Sequence, residues 1–187
     1  MKFNMTLTEQ AIRNYCAATS QTSPADIALA LMREPVIRIH GPEHHYLTAA
    51  ALCAAWCNVK GLQKDERLGA LRERCARIFP GVCGYYGVCG AVLAAGAFFS
   101  DALGTTYLSE REWQLTNEFT ARLQKAVAAS CSRGPRCCKR TTLAVLLAAG
   151  DALWELTGVR LGVTEYTSCE FCADNTQCIG SACVFGA

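Results

Sequence analysis

The run EHHYLTAAALCAAWCNV, residues 43–59, decides the fold. It is rich in alanine, the residue with the highest helix propensity, and it therefore predicts a helix along its whole length. A second helix is predicted directly after it, over 65–79, because Leu68, Leu71, Cys75 and Ile78 recur at spacings of three and four. Most of the rest of the chain also shows apolar residues at helical spacing.

Two shorter helices are predicted upstream of this run from their starting signals. Thr6 and Glu9 fit a capping box that would open the first helix. Ser23-Pro24 would open the second, with proline in its first turn, and Pro35 would end it. Residues 36–39 are predicted to be extended.

Glycine and proline separate the helices predicted downstream. A glycine-rich segment, 80–90, leads into an apolar helix over 91–103. Gly134-Pro135 breaks the chain again and restarts a helix that would run to about Leu156, with Gly158 as its C-terminal stop.

Between these two helices lies another, predicted from a capping box at Ser109 and Glu112. Its buried face is predicted to consist of Trp113, Leu115, Phe119, Leu123 and Val127.

The segment after Val159 is different in character, since it is short, polar and dense in cysteine and shows little helical periodicity. The predicted fold class is therefore all-α, a compact multi-helix bundle with a cysteine-rich irregular C-terminal extension. We assign residues 1–158 to the helical domain and 159–187 to a metal-binding extension packed on that same domain.

The cysteine content is the main chemical feature of the 187 residues. There are 13 cysteines, an odd number that cannot pair completely within one chain. The N-terminus has no apolar run of signal-peptide length, and the longest apolar stretch, 87–99, is too short to span a membrane. We therefore expect a cytoplasmic protein, in which clustered cysteines serve as metal ligands or catalytic thiols more often than as disulfides.

The cysteines divide into two classes by their surroundings. Five lie within helical patterns and are expected to pack as small apolar residues: Cys16, Cys53, Cys57, Cys75 and Cys131. Eight lie beside glycine, proline or polar residues, where loops can bring sulfurs together. These eight candidate metal ligands are Cys83, Cys89, Cys137, Cys138, Cys169, Cys172, Cys178 and Cys183.

The C-terminal segment carries the most specific metal signal. Four cysteines fall within fifteen residues, 169–183, and one pair forms a CxxC. Such spacing is typical of ligands to zinc or to an iron–sulfur cluster, including a [4Fe–4S] cluster. Zinc more often takes two CxxC pairs, so the irregular spacing favours iron–sulfur, with zinc as the alternative. Cys137 and Cys138 are adjacent, so their side chains should diverge, and one can be a ligand while the other packs or reacts.

All three histidines lie within six residues, in the motif HGPEHH at 40–45. Pro42 suits the first turn of a helix, which would place His44 and His45 near a helix N-terminus. The helix dipole disfavours imidazolium there, leaving neutral rings suited to proton transfer or metal ligation. We therefore predict His44 and His45 as catalytic residues. A metal shared between His45 and Cys53 is a further option, because the two lie on one stripe of the helix.

The segment RGPRCCKR at 133–140 is the second constellation. Its Gly-Pro pair is predicted to place both cysteines in the first turn of a helix, where amides, dipole and cationic side chains would stabilise thiolates. Arg136, Lys139 and Arg140 are predicted to bind an anion or to balance the negative charge of a cluster.

Four motifs carry a resemblance to a known family. They are HGPEHH at 40–45, CGYYGVCGA at 83–91, GPRCCKR at 134–140 and CIGSAC at 178–183. Together they resemble an uncharacterised family of cysteine-rich proteins of anaerobic bacteria and archaea, sometimes linked to methyltransferase-like domains. The resemblance covers most of the chain after about residue 36. It implies anaerobic metabolism, and it makes Cys172 the least certain ligand among the C-terminal cysteines.

The sequence thus predicts an iron–sulfur protein acting in redox or sulfur transfer, with a small anionic substrate or a redox partner protein. The alternative is a non-catalytic zinc or metal-binding module that partners a methyltransferase or a radical enzyme. Nucleic acid is disfavoured as a partner, because the basic stretch between Glu118 and Asp151 lacks interleaved aromatic residues. Homo-oligomer formation stays open.

Overall fold

The predicted all-α bundle is confirmed. A computed structural model describes residues 4–130 and 136–186, and within these ranges there is no β-strand. The helices are α1 (Met5–Ala18), α2 (Pro24–Met32), α3 (Glu43–Lys60), α4 (Asp65–Cys75), α5 (Val82–Tyr86), α6 (Gly90–Leu103), α7 (Arg111–Ser130) and α8 (Cys138–Thr157), followed by a 3₁₀ turn at Gly180–Ala182.

Helix α3 is the centre of the bundle. It packs against α1, α2, α4, α6 and α8. Its small alanines let these neighbours come close, and every residue from 46 to 57 is buried. A helix that is apolar on all sides must be surrounded, which explains why this run decides the fold. Trp56 of α3 meets Phe98 of α6 edge-to-face, and Phe99 stacks on Phe119 of α7 at 4.4 Å between ring centroids.

Several predicted helix boundaries are confirmed by their caps. The Ser23 side chain accepts a hydrogen bond from the Asp26 amide, with Pro24 in the first turn of α2. Helix α8 ends at Gly158, whose φ of 71° is a left-handed conformation that favours glycine.

Other local predictions are wrong. Helix α1 is capped by Asn4, whose side chain accepts from the Leu7 amide, so Thr6 lies inside the helix. The Ser109 hydroxyl accepts from the Thr106 amide instead of capping α7. Trp113, predicted to be buried, is 53% exposed. The two capping errors share one cause, because several nearby side chains can cap a helix and the local sequence does not rank them. The error at Trp113 depends instead on how α7 packs.

Some predicted elements differ from the structure in their boundaries. Residues 36–39 form turns and bends instead of an extended segment, and α4 ends at Cys75, four residues before the predicted end. Cys137 precedes α8 with extended backbone, so only Cys138 lies in its first turn. Gly134-Pro135, Arg133 and Cys131 lie outside the described residues.

The C-terminal segment packs on the bundle, although its described residues, 159–186, form no α-helix. Leu161, Phe171 and Phe185 are buried in the common core. The Gly162 amide donates to the Thr22 carbonyl, which ties the start of the segment to the loop before α2. None of the helices in the described part of the chain is long and apolar enough to cross a membrane.

Four of the five helical cysteines behave as predicted. Cys16, Cys53, Cys57 and Cys75 are all buried, at 4% exposure or less. Burial raises the pKa of the Cys16 and Cys75 thiols to about 12, so both stay neutral. The Cys53 and Cys57 sulfurs lie 4.0 Å apart within α3.

Candidate functional site

The C-terminal cysteines and Cys137 surround one small pocket. Among the described residues, five thiols line it: those of Cys137, Cys169, Cys172, Cys178 and Cys183. We call this group the sulfur pocket. It encloses about 30 Å³, which is room for a metal ion or one to two water molecules. All five cysteines are partly exposed, unlike the helical cysteines.

Backbone hydrogen bonds hold the sulfur pocket in shape. The Cys169 amide donates to the Phe185 carbonyl at 2.7 Å and closes the loop that carries four of the five thiols. Within the loop, the Cys183 amide donates to the Gly180 carbonyl at 2.9 Å. Gly180 has a φ of 53°, so this turn favours glycine. The loop is therefore built from turns, with no helix beyond one 3₁₀ turn.

Cys178 makes two polar contacts in the sulfur pocket. Its sulfur is 2.8 Å from the Cys172 sulfur and accepts a hydrogen bond from the Gly180 amide at 3.4 Å. The hydrogen bond with the Cys172 thiol, the Gly180 amide and the charge of Arg140 together lower the pKa of Cys178. Thiolate, the form that binds metals, is thus favoured at this residue.

Two buried cations also line the sulfur pocket. Arg140 is 4% exposed and Lys139 is 3% exposed. The Lys139 ammonium donates to the Met32 carbonyl and lies 3.9 Å from the centre of the Phe171 ring. Burial lowers the pKa of Lys139, while nearby acidic groups and thiols, including Cys137, oppose the change. Both side chains therefore place positive charge beside the thiols instead of in solvent.

Asn175 connects the sulfur pocket to the histidine motif. Its amide nitrogen donates to the Cys137 sulfur at 3.8 Å, and its amide oxygen lies 3.3 Å from Nε2 of His40. Nothing in the sequence pattern pointed to Asn175, because its role depends on a contact across 135 positions.

A second cavity lies on the other side of the Cys137–Cys138 peptide. Its chemically active lining consists of His44, His45, Cys83, Cys89 and Cys138. We call this group the histidine cavity. At about 240 Å³ it is much larger than the sulfur pocket. The two neighbouring cysteines thus diverge, as predicted, and each belongs to a different group.

The histidine motif forms a tight turn around a buried carboxylate. Glu43 is 1% exposed and accepts from Nε and Nη2 of Arg38 at 3.0 and 2.7 Å. Its carboxylate occupies the space beside Gly41, where an added Cβ would lie 1.9 Å from an oxygen. Only glycine fits there, which explains the order of residues in the motif.

This turn fixes the tautomer of His44. Nδ1 lies 3.2 Å from the Gly41 carbonyl oxygen, an acceptor, so Nδ1 carries the proton. Nε2 then presents a lone pair, and it has no hydrogen-bond partner in the described residues. Burial lowers the pKa of His44 to about 4, so the ring is neutral near pH 7.

Cys138 and Cys89 face the histidine cavity from two helix starts. Burial raises the pKa of both thiols, and the Gly41 amide opposes the rise at Cys138. At Cys89 the amides of Ala91 and Val92 oppose it. These N–H groups favour the thiolate form and would stabilise sulfur bound to a metal. The Thr142 hydroxyl, fully buried, lines the same cavity without a hydrogen-bond partner in the described residues.

His45 is held by a close approach to α6. An alanine Cβ at Gly90 would lie 2.1 Å from Nε2 of His45. We expect Gly90→Ala to displace this ring and to lower the free energy of unfolding by about 1–3 kcal/mol, as overpacking typically does. Urea unfolding monitored by circular dichroism measures the change.

The matched control for this prediction is Gly150→Ala in α8. No atom lies within 4 Å of an added Cβ there. Alanine should stabilise α8 by about 0.5–1 kcal/mol through its higher helix propensity. Equal effects at the two glycines would contradict the packing of His45 on Gly90.

The predicted site residues are thus found in two groups, with the predicted anion-binding residues divided between them. Arg136 is exposed and lines the histidine cavity, while Lys139 and Arg140 line the sulfur pocket. His45 lines the cavity with Cys83 and Cys89, whereas Cys53 pairs with Cys57 in the core. Within residues 4–130 and 136–186, no three His, Cys, Asp or Glu side chains are already arranged to hold a metal ion. Metal binding would therefore require thiols of either group to turn inward.

The chain belongs to DUF5714, a family of unknown function, which it matches over residues 12–186. The match includes both groups of cysteines and the histidine motif. No curated protein and no solved structure matches the chain.

Proposed function

We propose that this protein binds an iron–sulfur cluster in the sulfur pocket and acts in redox or sulfur transfer in the cytoplasm. One observation carries the proposal. Five thiols from two distant parts of the chain line a single pocket. An all-cysteine donor set is the usual ligand set of iron–sulfur clusters, and four thiolates are sufficient.

The charge around the pocket supports a cluster. A cluster with four thiolates is anionic, and Arg140 and Lys139 place two buried positive charges beside it. The Gly180 amide already donates to the Cys178 sulfur, the kind of hydrogen bond that tunes cluster potentials.

The loop could also open to admit a cluster. A cluster is larger than the 30 Å³ now enclosed. Residues 172–183 lie between the buried Phe171 and Phe185 and are held by turns, so they can move outward without unfolding an α-helix. The buried helices below would keep their packing.

The histidine cavity would supply the substrate side of such a reaction. Because Cys137 and Cys138 are adjacent, a ligand in the cavity would lie next to the cluster. Arg136 at the cavity would attract a small anionic substrate, and His44 or His45 would transfer protons. A redox partner protein would exchange electrons through the exposed loop. The resemblance to proteins of anaerobic organisms fits an oxygen-sensitive centre of this kind.

The alternative is a zinc module that docks onto a methyltransferase or a radical enzyme. The small volume of the sulfur pocket favours it, since about 30 Å³ admits one metal ion without movement of the loop. Four thiolates would satisfy tetrahedral zinc, leaving one cysteine spare.

Anaerobic purification followed by metal analysis tests the proposal. We expect a brown protein with iron and acid-labile sulfide and with broad absorption near about 400 nm. A colourless protein that carries stoichiometric zinc, and that takes up no iron and sulfide on reconstitution, would contradict it and support the zinc module.

A further inference from the structure

We propose that the histidine cavity is a separate metal site, which binds a zinc-type divalent ion through Cys83, Cys89, Cys138 and Nε2 of His44. This site is separate from the centre proposed for the sulfur pocket. Because it uses Nε2 of His44 as a ligand, it leaves His45 as the residue that would transfer protons. Three thiolates and one imidazole form a common donor set for tetrahedral zinc.

The state of His44 is the first observation that points to a metal. A ligating histidine usually donates its other ring N–H to a carbonyl or carboxylate, which fixes the tautomer and the ring orientation. His44 has this arrangement already, with Nδ1 at 3.2 Å from the Gly41 carbonyl oxygen. Its Nε2 is buried without a hydrogen-bond partner in the described residues. A buried nitrogen lone pair is costly unless something binds it.

Gly41 links two of the four ligands. Its carbonyl accepts from His44, and its amide lies within hydrogen-bond reach of the Cys138 sulfur. One rigid turn therefore orients an imidazole and a thiol that lie 94 positions apart in the sequence. The buried Glu43 carboxylate, bound to Arg38, holds this turn in place.

The other two ligands come from the glycine-rich segment. Cys83 lies in the short helix α5, and Cys89 caps α6. The Cys89 amide donates to Oε1 of Gln124 at 3.2 Å, which fixes this residue against α7. Both cysteines line the same cavity as His44 and Cys138.

The size of the cavity lets the thiols reach a common ion. About 240 Å³ is more than one ion needs. A cysteine sulfur can turn inward by a change of one side-chain rotamer, without movement of its helix. The cavity is therefore lined by a complete set of donors, although the described side chains are not arranged around an ion in this structure.

Zinc binding by the full-length chain tests this site separately from the sulfur pocket. The background is a double variant, Cys169→Ser with Cys178→Ser, which removes two thiols of the sulfur pocket. We expect it to retain about one zinc ion per chain, with X-ray absorption showing three sulfurs at about 2.3 Å and one nitrogen at about 2.0–2.1 Å.

Histidine variants in this background identify the nitrogen ligand. His44→Gln should weaken zinc binding roughly tenfold or more in competition with a chelator, and it should remove the nitrogen signal. His45→Gln is the matched control in the same cavity and should leave the affinity within a few-fold. Circular dichroism checks that both variants fold. If His44→Gln does not fold, Cys138→Ser replaces it, with the same expected loss of zinc affinity.

The proposal is overturned by a background protein that retains no zinc, by a coordination shell of sulfur alone, or by loss of zinc in His45→Gln instead of His44→Gln. None of these results bears on the iron–sulfur proposal, which is tested by iron, sulfide and the visible spectrum of the unsubstituted chain.

Discussion

Cys178→Ser should strongly weaken the metal centre of the sulfur pocket, lowering iron per chain severalfold in anaerobically purified protein although four thiols remain. Among the five thiols, Cys178 is the one whose surroundings most favour binding of a metal. Its sulfur accepts from the Gly180 amide at 3.4 Å, and the pKa of its thiol is lowered. A serine hydroxyl does not form the thiolate that the cluster requires. Iron and sulfide analysis with the visible spectrum measures the effect.

Cys172→Ser should have a much smaller effect on the same measurement. Five thiols line the pocket and a cluster takes four, so one is expendable. We expect Cys172 to be that one, because the Gly180 amide donates to the Cys178 sulfur, while the Cys172 sulfur accepts no backbone hydrogen bond in the described residues. Loss of the cluster in Cys172→Ser with retention in Cys178→Ser would reverse this assignment.

Cys75→Ala is the control for general damage. Cys75 is buried in α4 at 4% exposure and lines neither cavity. Its substitution should lower stability moderately through lost packing and leave the metal content unchanged. A loss of metal in this variant would show that the iron content follows overall stability instead of ligation.

The fold could be predicted from the sequence where one strong pattern acts alone. The alanine-rich run of α3 and the stop of α8 at Gly158 are confirmed, since composition and a single glycine decide them. The start of α1 was wrong because Asn4 and Thr6 are both good capping residues, and local pattern does not rank them. The prediction that Trp113 is buried was wrong, because its position relative to the buried stripe depends on how α7 packs.

The candidate site was predictable as a set of residues and not as an arrangement. Separating loop cysteines from helical cysteines identified the thiols that line cavities. The divergence of Cys137 and Cys138 followed from their adjacency alone. The division of the eight cysteines into five at the sulfur pocket and three at the histidine cavity could not be predicted from the sequence. It depends on how the 169–185 loop closes over the start of α8. Asn175 and Gly90 act only through tertiary contacts, so no local pattern could reveal them.

Glu43→Gln should lower the free energy of unfolding by about 2–4 kcal/mol at pH 7. The Glu43 side chain is fully buried, while that of its partner Arg38 is 40% exposed, so part of the Arg38 charge stays solvated in the variant. The amide of glutamine would direct N–H groups toward the donors of Arg38 and would lose the charge. Urea unfolding at pH 7 measures the difference.

The matched control is Glu155→Gln, which removes a carboxylate from an exposed pair with Arg122. Both of those side chains are more than a third exposed, so solvent screens their interaction. We expect a change of less than about 1 kcal/mol. Similar losses in the two variants would show that burial of the Glu43 pair contributes nothing extra.

The effect of Glu43→Gln should also depend on pH. Burial tends to raise the pKa of Glu43, but the hydrogen bonds from Arg38 and from its own backbone amide, together with nearby positive charge, outweigh it, and the pKa is lowered below its ordinary 4.5. A carboxyl with a lowered pKa in the folded state stabilises fully above its ordinary pKa, and this contribution is lost as the pH falls through the folded value. The stability gap between the unsubstituted protein and the variant should therefore narrow below about pH 4.5.

A gap that stays constant down to acid pH would mean that the loss arises from packing alone. A gap that closes would show that the Glu43 charge holds the turn, and zinc affinity in the histidine cavity should then fall in the same variant, because this turn positions His44 and Cys138.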